Sequence, residues 1–142
     1  MKKSKEILTS VLKTTQKGQV SIRSVLDLSM RPGLRKALEL QLREYDAIET
    51  ETHAIASQRG WDLPDMDPAA RFFSDRTIRM KLNRGNCDSR IADMMIRSNT
   101  SGMIMGLKNL HQFPSPDQQV TILCQKLLDC ETANIRQLQS FL

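Results

Sequence analysis

The chain has 142 residues, the length of one domain, and folding at this size can bury about 70% of the surface that the unfolded chain exposes. Hydrophobic residues make up 39% of the chain but aromatic residues only 4%, a balance that favours helix packing over a β-sandwich. The net charge of +5 is mild, and the basic residues lack the interleaved aromatic or glycine-rich signatures of nucleic-acid binders. We therefore expect no nucleic-acid partner.

The sequence also bears on compartment and redox chemistry. No apolar run is long enough to span a membrane, and no apolar h-region of a signal peptide follows Met1, so we expect a cytoplasmic protein with no membrane partner. Cys87, Cys124 and Cys130 lack the CxxC spacing of metal and redox motifs, and Cys124 and Cys130 lie almost two turns apart on one predicted helix. We expect reduced, structural thiols.

Two long amphipathic helices are predicted in the first part of the chain, at about residues 4–28 and 32–59. Pro32 separates them, because proline disfavours a helical residue before it but suits the first position of a new helix. Gly60 can take the left-handed conformation that ends a helix, and Trp61 can cover the last turn.

Three further helices are predicted. A short one covers residues 68–83, where Asp67 can act as the N-cap of a helix that begins with proline. A fourth covers residues 89–112 after a break at Gly85, and a fifth covers residues 116–142 after a capping box that begins at Ser115. Four long helices and one short helix in the middle connection predict a single all-α domain, a four-helix bundle over residues 1–142.

Each long helix places polar residues near its middle, inside an otherwise apolar stripe. The stripe of the last helix contains Val120, Cys124, Leu127, Glu131, Asn134, Leu138 and Phe141. Burying a carboxylate is unfavourable unless a metal, a base or hydrogen-bond donors meet it. With the helices in register, five polar side chains could meet in one core layer: Gln19, Glu44, Asn99, Glu131 and Asn134.

Several short motifs accompany this order of segments: the proline between the first two helices, Arg59-Gly60-Trp61 at the end of the second, the Gly85 break and Glu131-x-x-Asn134 in the last. In this order and these motifs, nearly the whole chain resembles the ferritin-like four-helix bundles, especially small bacterial bundles of unknown function. Two stretches of the first two helices, Met30-Arg31-Pro32-Gly33-Leu34-Arg35 and Ala56-Ser57-Gln58-Arg59-Gly60-Trp61, also resemble spore-coat proteins of the Coat F type.

In metal-bearing ferritin-like proteins, two helices give one Glu each and two give Glu-x-x-His pairs. The resemblance places these residues at the ligand positions: Gln19 and Asn99 for the single Glu, Glu44 with Ala47 for one pair, and Glu131 with Asn134 for the other. Two carboxylates without an imidazole would leave the four positive charges of two irons under-neutralised. The resemblance therefore implies a degenerate di-iron site, and we expect no cofactor.

We expect a non-enzymatic structural or interaction protein whose polar core layer fixes the helix register by hydrogen bonds. A homodimer or other homo-oligomer is expected, because Gly102 and Gly106 would let another helix approach closely. Two alternatives stay open: a metal-binding oxidase-like or iron-handling protein that holds iron or manganese at Glu44 and Glu131, and a spore-coat-associated protein.

Overall fold

The computed structural model describes residues 2–65, 88–112 and 115–142. These residues form four helices, α1 (Lys2–Val25), α2 (Pro32–Arg59), α3 (Asp88–Gln112) and α4 (Gln118–Gln139), and no strand lies among them. The prediction of an all-α chain with four long helices is confirmed, while the predicted short helix at residues 68–83 lies outside the described residues. Of the helices in the described ranges, none combines the length and apolar character needed to span a membrane.

The caps of α2 agree with the sequence. Pro32 is the first residue of the helix after an extended Arg31, and Gly60 ends the helix with a left-handed φ of 68°. The Trp61 N–H donates to the Ala56 carbonyl at 2.8 Å, which closes a Schellman turn. Proline and glycine therefore fix both ends of α2.

Several helix ends differ from the prediction by two or three residues; α4, for example, ends at Gln139 and not at residue 142. Helix α1 ends at Val25, three residues before Leu28, and the Arg35 guanidinium donates to the backbone carbonyls of Leu26 and Leu28 just beyond this end. Helix α4 begins at Gln118. Its N-cap is Asp117, whose carboxylate accepts from the Gln119 and Val120 N–H groups, so the predicted cap at Ser115 is wrong. The charged carboxylate satisfies two otherwise unpaired backbone donors.

Contacts between helix ends define the direction of each helix. The Arg31 N–H, at the start of α2, donates to the carboxylate of Asp88, at the start of α3, so these two helices begin at the same end of the molecule. At the other end, Arg59 forms an ion pair with Asp117 at 2.8 Å, which brings the end of α2 to the start of α4. Helices α1 and α4 therefore run in one direction and α2 and α3 in the other, and the connection from α2 to α3 is a long crossover.

The four helices pack around one shared core. Helix α1 packs against α2, α3 against α4, and α2 against α4, while α1 also contacts α3 and α4. The fully buried apolar side chains include Leu8, Leu12, Ile22, Leu34, Leu38, Ile48, Ile91, Leu123 and Leu138. Removing this apolar surface from water is the main favourable term in folding. Between its apolar layers the core also holds polar side chains from all four helices.

Candidate functional site

Four of the five side chains predicted for the polar layer are buried: Gln19, Asn99, Glu131 and Asn134. Glu44 is exposed, so its predicted place in the core layer is wrong. The neighbouring Tyr45 takes the inward position on α2, and Glu44 lies beside it, where its carboxylate accepts from the Cys130 thiol at 3.0 Å. Of the two carboxylates proposed as metal ligands, only Glu131 lies in the core.

The buried polar groups meet around the hydroxyl of Tyr45. Its oxygen lies 2.9 Å from Asn99 Oδ1 on α3 and 3.1 Å from Glu131 Oε2 on α4. The Asn134 amide donates to Asn99 Oδ1 at 3.2 Å, and the Asn99 amide donates to the Met95 carbonyl at 2.7 Å. We call Tyr45, Asn99, Glu131 and Asn134 the tyrosine network. It joins α2, α3 and α4 at mid-height.

Gln19 is buried but does not belong to this network. Its amide donates to Asp46 Oδ1 at 2.8 Å, a contact between α1 and α2, and the same carboxylate oxygen accepts from Arg23 at 3.3 Å. The predicted layer is therefore divided into two separate sets of hydrogen bonds. One set is fully buried around Tyr45, and the other opens towards solvent at Asp46 and Arg23.

The number of hydrogens on the polar groups of the tyrosine network limits which group can donate to which. A phenol carries one hydrogen, so Tyr45 cannot donate to Asn99 Oδ1 and to Glu131 Oε2 at once. If Tyr45 donates to Asn99, Glu131 must be protonated and donate to the tyrosine oxygen. Burial raises the pKa of Glu131 to about 8, although the Tyr45 hydrogen bond offsets part of this rise. The carboxyl group is therefore neutral at pH 7 and can complete the chain from Glu131 through Tyr45 to Asn99.

Neighbouring acidic groups are also held in their neutral forms. Burial, together with the nearby Glu131, raises the pKa of Tyr45 well above its ordinary value of 10. Burial raises the pKa of the Cys130 thiol far above its ordinary value, and the nearby Glu44 adds to this effect. Both cysteines in the described ranges, Cys124 and Cys130, are free. A thiol held neutral is a poor nucleophile and a poor metal ligand.

A cavity of about 190 Å³ lies beside the network, and the side chain of Glu131 forms part of its wall. Glycines keep this side open. A Cβ atom at Gly102 would lie 2.7 Å from Glu131 Oε1, and one at Gly18 would lie 2.6 Å from the ring of Tyr45. The cavity is also lined by Lys17 and by three residues that carry hydroxyl groups, Thr14, Ser98 and Ser101.

The two glycines of α3 face the inside of the fold. A Cβ atom at Gly106 would touch Leu128 of α4 at 3.7 Å, and Gly102 lies against Glu131 and Thr14. Gly102 and Gly106 therefore serve packing between helices of this chain, and the expected homo-oligomer stays a prediction. Their small size lets α3 approach α4 closely.

The sequence pattern missed Tyr45 as the centre of the site. Its position fits the apolar stripe of α2, and that stripe alone predicts a core side chain with no polar role. One signal could have identified it: a tyrosine buried at mid-helix needs a partner for its hydroxyl, and the other long helices place amides and a carboxyl at the same height.

The described residues bring no set of metal ligands together. No group of three or more His, Cys, Asp or Glu side chains that could hold a metal ion lies within residues 2–65, 88–112 and 115–142. The chain significantly matches no family model, no curated protein and no solved structure.

Proposed function

We propose that this chain is a ferritin-like four-helix bundle that acts as a non-enzymatic structural or interaction protein. One observation carries the proposal: the hydroxyl of Tyr45 lies between Asn99 and Glu131, where a metal-bearing bundle would hold its ions. A neutral network of phenol, amides and carboxyl group joins α2, α3 and α4 by hydrogen bonds without a cation. Such a network specifies helix register rather than chemistry.

The ferritin-like part of the proposal is supported by the path of the chain. Helices α2 and α3 begin at the same end of the molecule, so a single long crossover joins two antiparallel helix pairs. One long crossover connection is the arrangement of ferritin-like bundles, whereas simple up-down bundles use short loops throughout.

The donor set supports a role without metal. A di-iron centre draws on four carboxylates and two imidazoles from the four helices. Here the buried set has one carboxyl group, Glu131, whose raised pKa keeps it protonated at neutral pH. A metal ion would have to displace that proton and would then find amides and a phenol as the other donors, a weak set for iron or manganese.

Exposed apolar side chains on α3 and α4 support an interaction role. Ile104 is 46% exposed and Ile122 is 65% exposed, and Leu107 is also exposed. Single exposed apolar residues are common on soluble proteins, but long apolar side chains on two adjacent helices are suited to contact with another protein surface. We propose self-association as that contact.

Elemental analysis of the purified protein, before and after anaerobic loading with ferrous iron and desalting, tests the loss of the metal site. Metal at background level in both samples is expected. Iron or manganese in proportion to protein, lost in Glu131→Gln, would instead favour the oxidase-like or iron-handling alternative. That alternative has one observation in its favour, because Glu44 and Glu131 both lie close enough to Cys130 to raise the pKa of its thiol.

Sedimentation equilibrium tests the interaction role. The wild type is expected at a multiple of the 16.2 kDa chain mass, and Ile104→Glu with Ile122→Glu is expected to shift it towards the monomer. Gln125→Glu adds a charge at an exposed position of α4, the helix of Ile122, and serves as the control. A wild type that is monomeric at high concentration would contradict self-association.

A further inference from the structure

The cavity beside the tyrosine network has features that the packing of the core does not require. It opens between α1 and α3, and its inner wall is the side chain of Glu131, which is only 2% exposed. Glu131 Oε2 contacts Tyr45, but Oε1 has no hydrogen-bond partner within the described ranges. A buried carboxyl oxygen without a partner is unfavourable unless water or a ligand meets it.

Gly102 exposes this oxygen to the cavity. Any side chain at this position would place its Cβ atom 2.7 Å from Oε1, so a residue larger than glycine would cover the atom. The other polar groups of the wall are the hydroxyls of Thr14, Ser98 and Ser101. None of them forms a hydrogen bond within the described part of the chain, so all three are available to a bound molecule.

The ionisable residues of the wall differ in exposure. Glu131 is buried, whereas Lys17 on the α1 side of the cavity is exposed. A ligand with a positive group at one end and a negative group at the other matches this arrangement, and each end would form a charge-assisted hydrogen bond of about 2.8 Å. A cavity of about 190 Å³ has room for several water molecules, and hence for a small amino acid.

We propose that this cavity binds a small amino acid, with its ammonium group against Glu131 Oε1 and its carboxylate towards Lys17. The hydroxyls of Ser98 and Ser101 would accept the remaining ammonium hydrogens. Binding takes up the ligand with its ammonium group intact and releases the proton of Glu131 to solvent, so that a carboxylate faces the ammonium ion. No covalent bond forms or breaks in the ligand.

The released proton makes the affinity depend on pH. Glu131 faces the Tyr45 phenol from α2, Lys17 from α1, and the Cys130 thiol on its own helix, while the described part of α3 brings no titratable side chain to the cavity. Their raised pKa values keep the phenol and the thiol neutral near pH 7. Because Glu131 has a pKa of about 8, affinity is expected to rise up to tenfold for each pH unit from pH 6 to pH 8 and then to level off.

Isothermal titration calorimetry of the full chain with glycine and L-alanine at pH 6 and pH 8 tests the proposal. We expect saturable binding that is tighter at pH 8, with proton release at pH 6 detected by comparing buffers of different ionisation enthalpy. Glu131→Gln, which keeps the size of the side chain, is expected to weaken binding at least tenfold. Circular dichroism of this variant verifies its fold.

Lysine variants test the other end of the ligand without touching the core. Lys17→Gln is expected to weaken glycine binding about three- to tenfold, whereas Lys13→Gln, at an exposed position one turn earlier on α1, should leave it unchanged. Methylammonium and acetate carry one charged end each and are expected to bind more weakly than glycine.

Four outcomes would overturn the proposal. The first is the absence of saturable glycine or L-alanine binding at either pH. The second is binding that survives Glu131→Gln unchanged, and the third is acetate binding as tight as that of glycine, which would indicate an anion site at Lys17. A lysine series in which both variants weaken binding equally would also contradict it, because a general charge effect would then explain the result.

Discussion

Helix α4 carries two carboxyl groups whose surroundings shift their pKa values in opposite directions. The Arg59 guanidinium hydrogen-bonds to Asp117 and lowers its pKa, and the Val120 and Gln119 N–H groups add to the effect. Burial raises the pKa of Glu131, and the Tyr45 hydroxyl only partly offsets the rise. At the helix end the carboxylate meets a guanidinium and backbone N–H groups, whereas in the core the carboxyl group is buried against the phenol of Tyr45. The same chemical group is therefore an anion at one position and a neutral acid at the other.

This difference gives the two groups opposite effects on stability as pH changes. A carboxyl group whose pKa is raised by folding holds its proton in the folded state after the unfolded chain has lost it, so stability falls as pH rises through that interval. A carboxyl group whose pKa is lowered contributes stability above its unfolded pKa and loses it as pH falls through the folded pKa. Glu131 should weaken the fold at high pH, and Asp117 should weaken it at low pH.

The largest expected effect comes from Glu131→Gln. Glutamine has nearly the same shape, and its amide can donate to the Tyr45 oxygen as the protonated carboxyl group does. The variant is expected to match the wild type near pH 4.5 and to become more stable by roughly 1 kcal/mol for each further pH unit until about pH 8. Urea unfolding of both proteins from pH 4.5 to pH 9 measures the difference.

At each pH, the free energy of unfolding of the wild type is subtracted from that of Glu131→Gln. This removes the contributions of all other titrating groups, so the remaining pH dependence belongs to Glu131. A constant difference across this range would mean that the carboxyl group is ionised in the fold. A variant that is less stable at every pH would indicate a required negative charge and would favour the metal-binding alternative.

The next largest effect distinguishes the two glycines of α3. Gly102→Ala would bring a Cβ atom to 2.7 Å from Glu131 Oε1 and 2.9 Å from the Thr14 methyl group, and Glu131 cannot move away without losing Tyr45. We expect a loss of about 1–3 kcal/mol. Gly106→Ala would meet Leu128 at an ordinary 3.7 Å and is expected to be neutral or to gain up to about 1 kcal/mol from helix propensity.

Thermal unfolding of both glycine variants near pH 6, where Glu131 stays protonated, measures the two effects separately from ionisation. Equal losses in the two variants would show that helix α3 tolerates no added methyl group along this face. Equal gains would show that the cavity side of α3 moves away from Glu131 more easily than the distances indicate.

The fold was largely predictable from the sequence because its signals are local. Proline at the start of α2, glycine at its end and the apolar spacing of each long helix act within one or two turns. The errors at helix ends arose where a competing donor or acceptor was available. Asp117 displaced Ser115 as the N-cap of α4 because its carboxylate also pairs with Arg59, which lies 58 residues earlier in the sequence.

The candidate site was predictable only in part, because it depends on helix rotation and register. Buried amides and a carboxyl group were expected at mid-height, and Asn99, Glu131 and Asn134 do meet there. A rotation of one residue on α2 exchanges Glu44 for Tyr45. The apolar stripe favours Tyr45 as the inward residue, but nothing in that stripe shows that its hydroxyl meets the polar layer. The cavity depends on where two glycines of different helices face the network, which only the packed structure reveals.

The smallest effect concerns the Asp117 end of the comparison, where capping and ion pairing can be separated. Asp117→Asn keeps an oxygen that can accept from the Gln119 and Val120 N–H groups but removes the charge that faces Arg59. Asp117→Ala removes both, and we expect it to cost about 1 kcal/mol at pH 7, with Asp117→Asn costing less because asparagine is itself a good N-cap. The greater stability of the wild type over Asp117→Asn should shrink in high salt, since the ion pair is partly exposed, and should vanish as pH falls through the lowered pKa of Asp117.

Urea unfolding at pH 7 and below pH 4 measures these differences in stability. If Asp117→Asn were as unstable as Asp117→Ala, the charge rather than the cap would hold α4 to the end of α2, and the contrast with the neutral Glu131 would be sharper still.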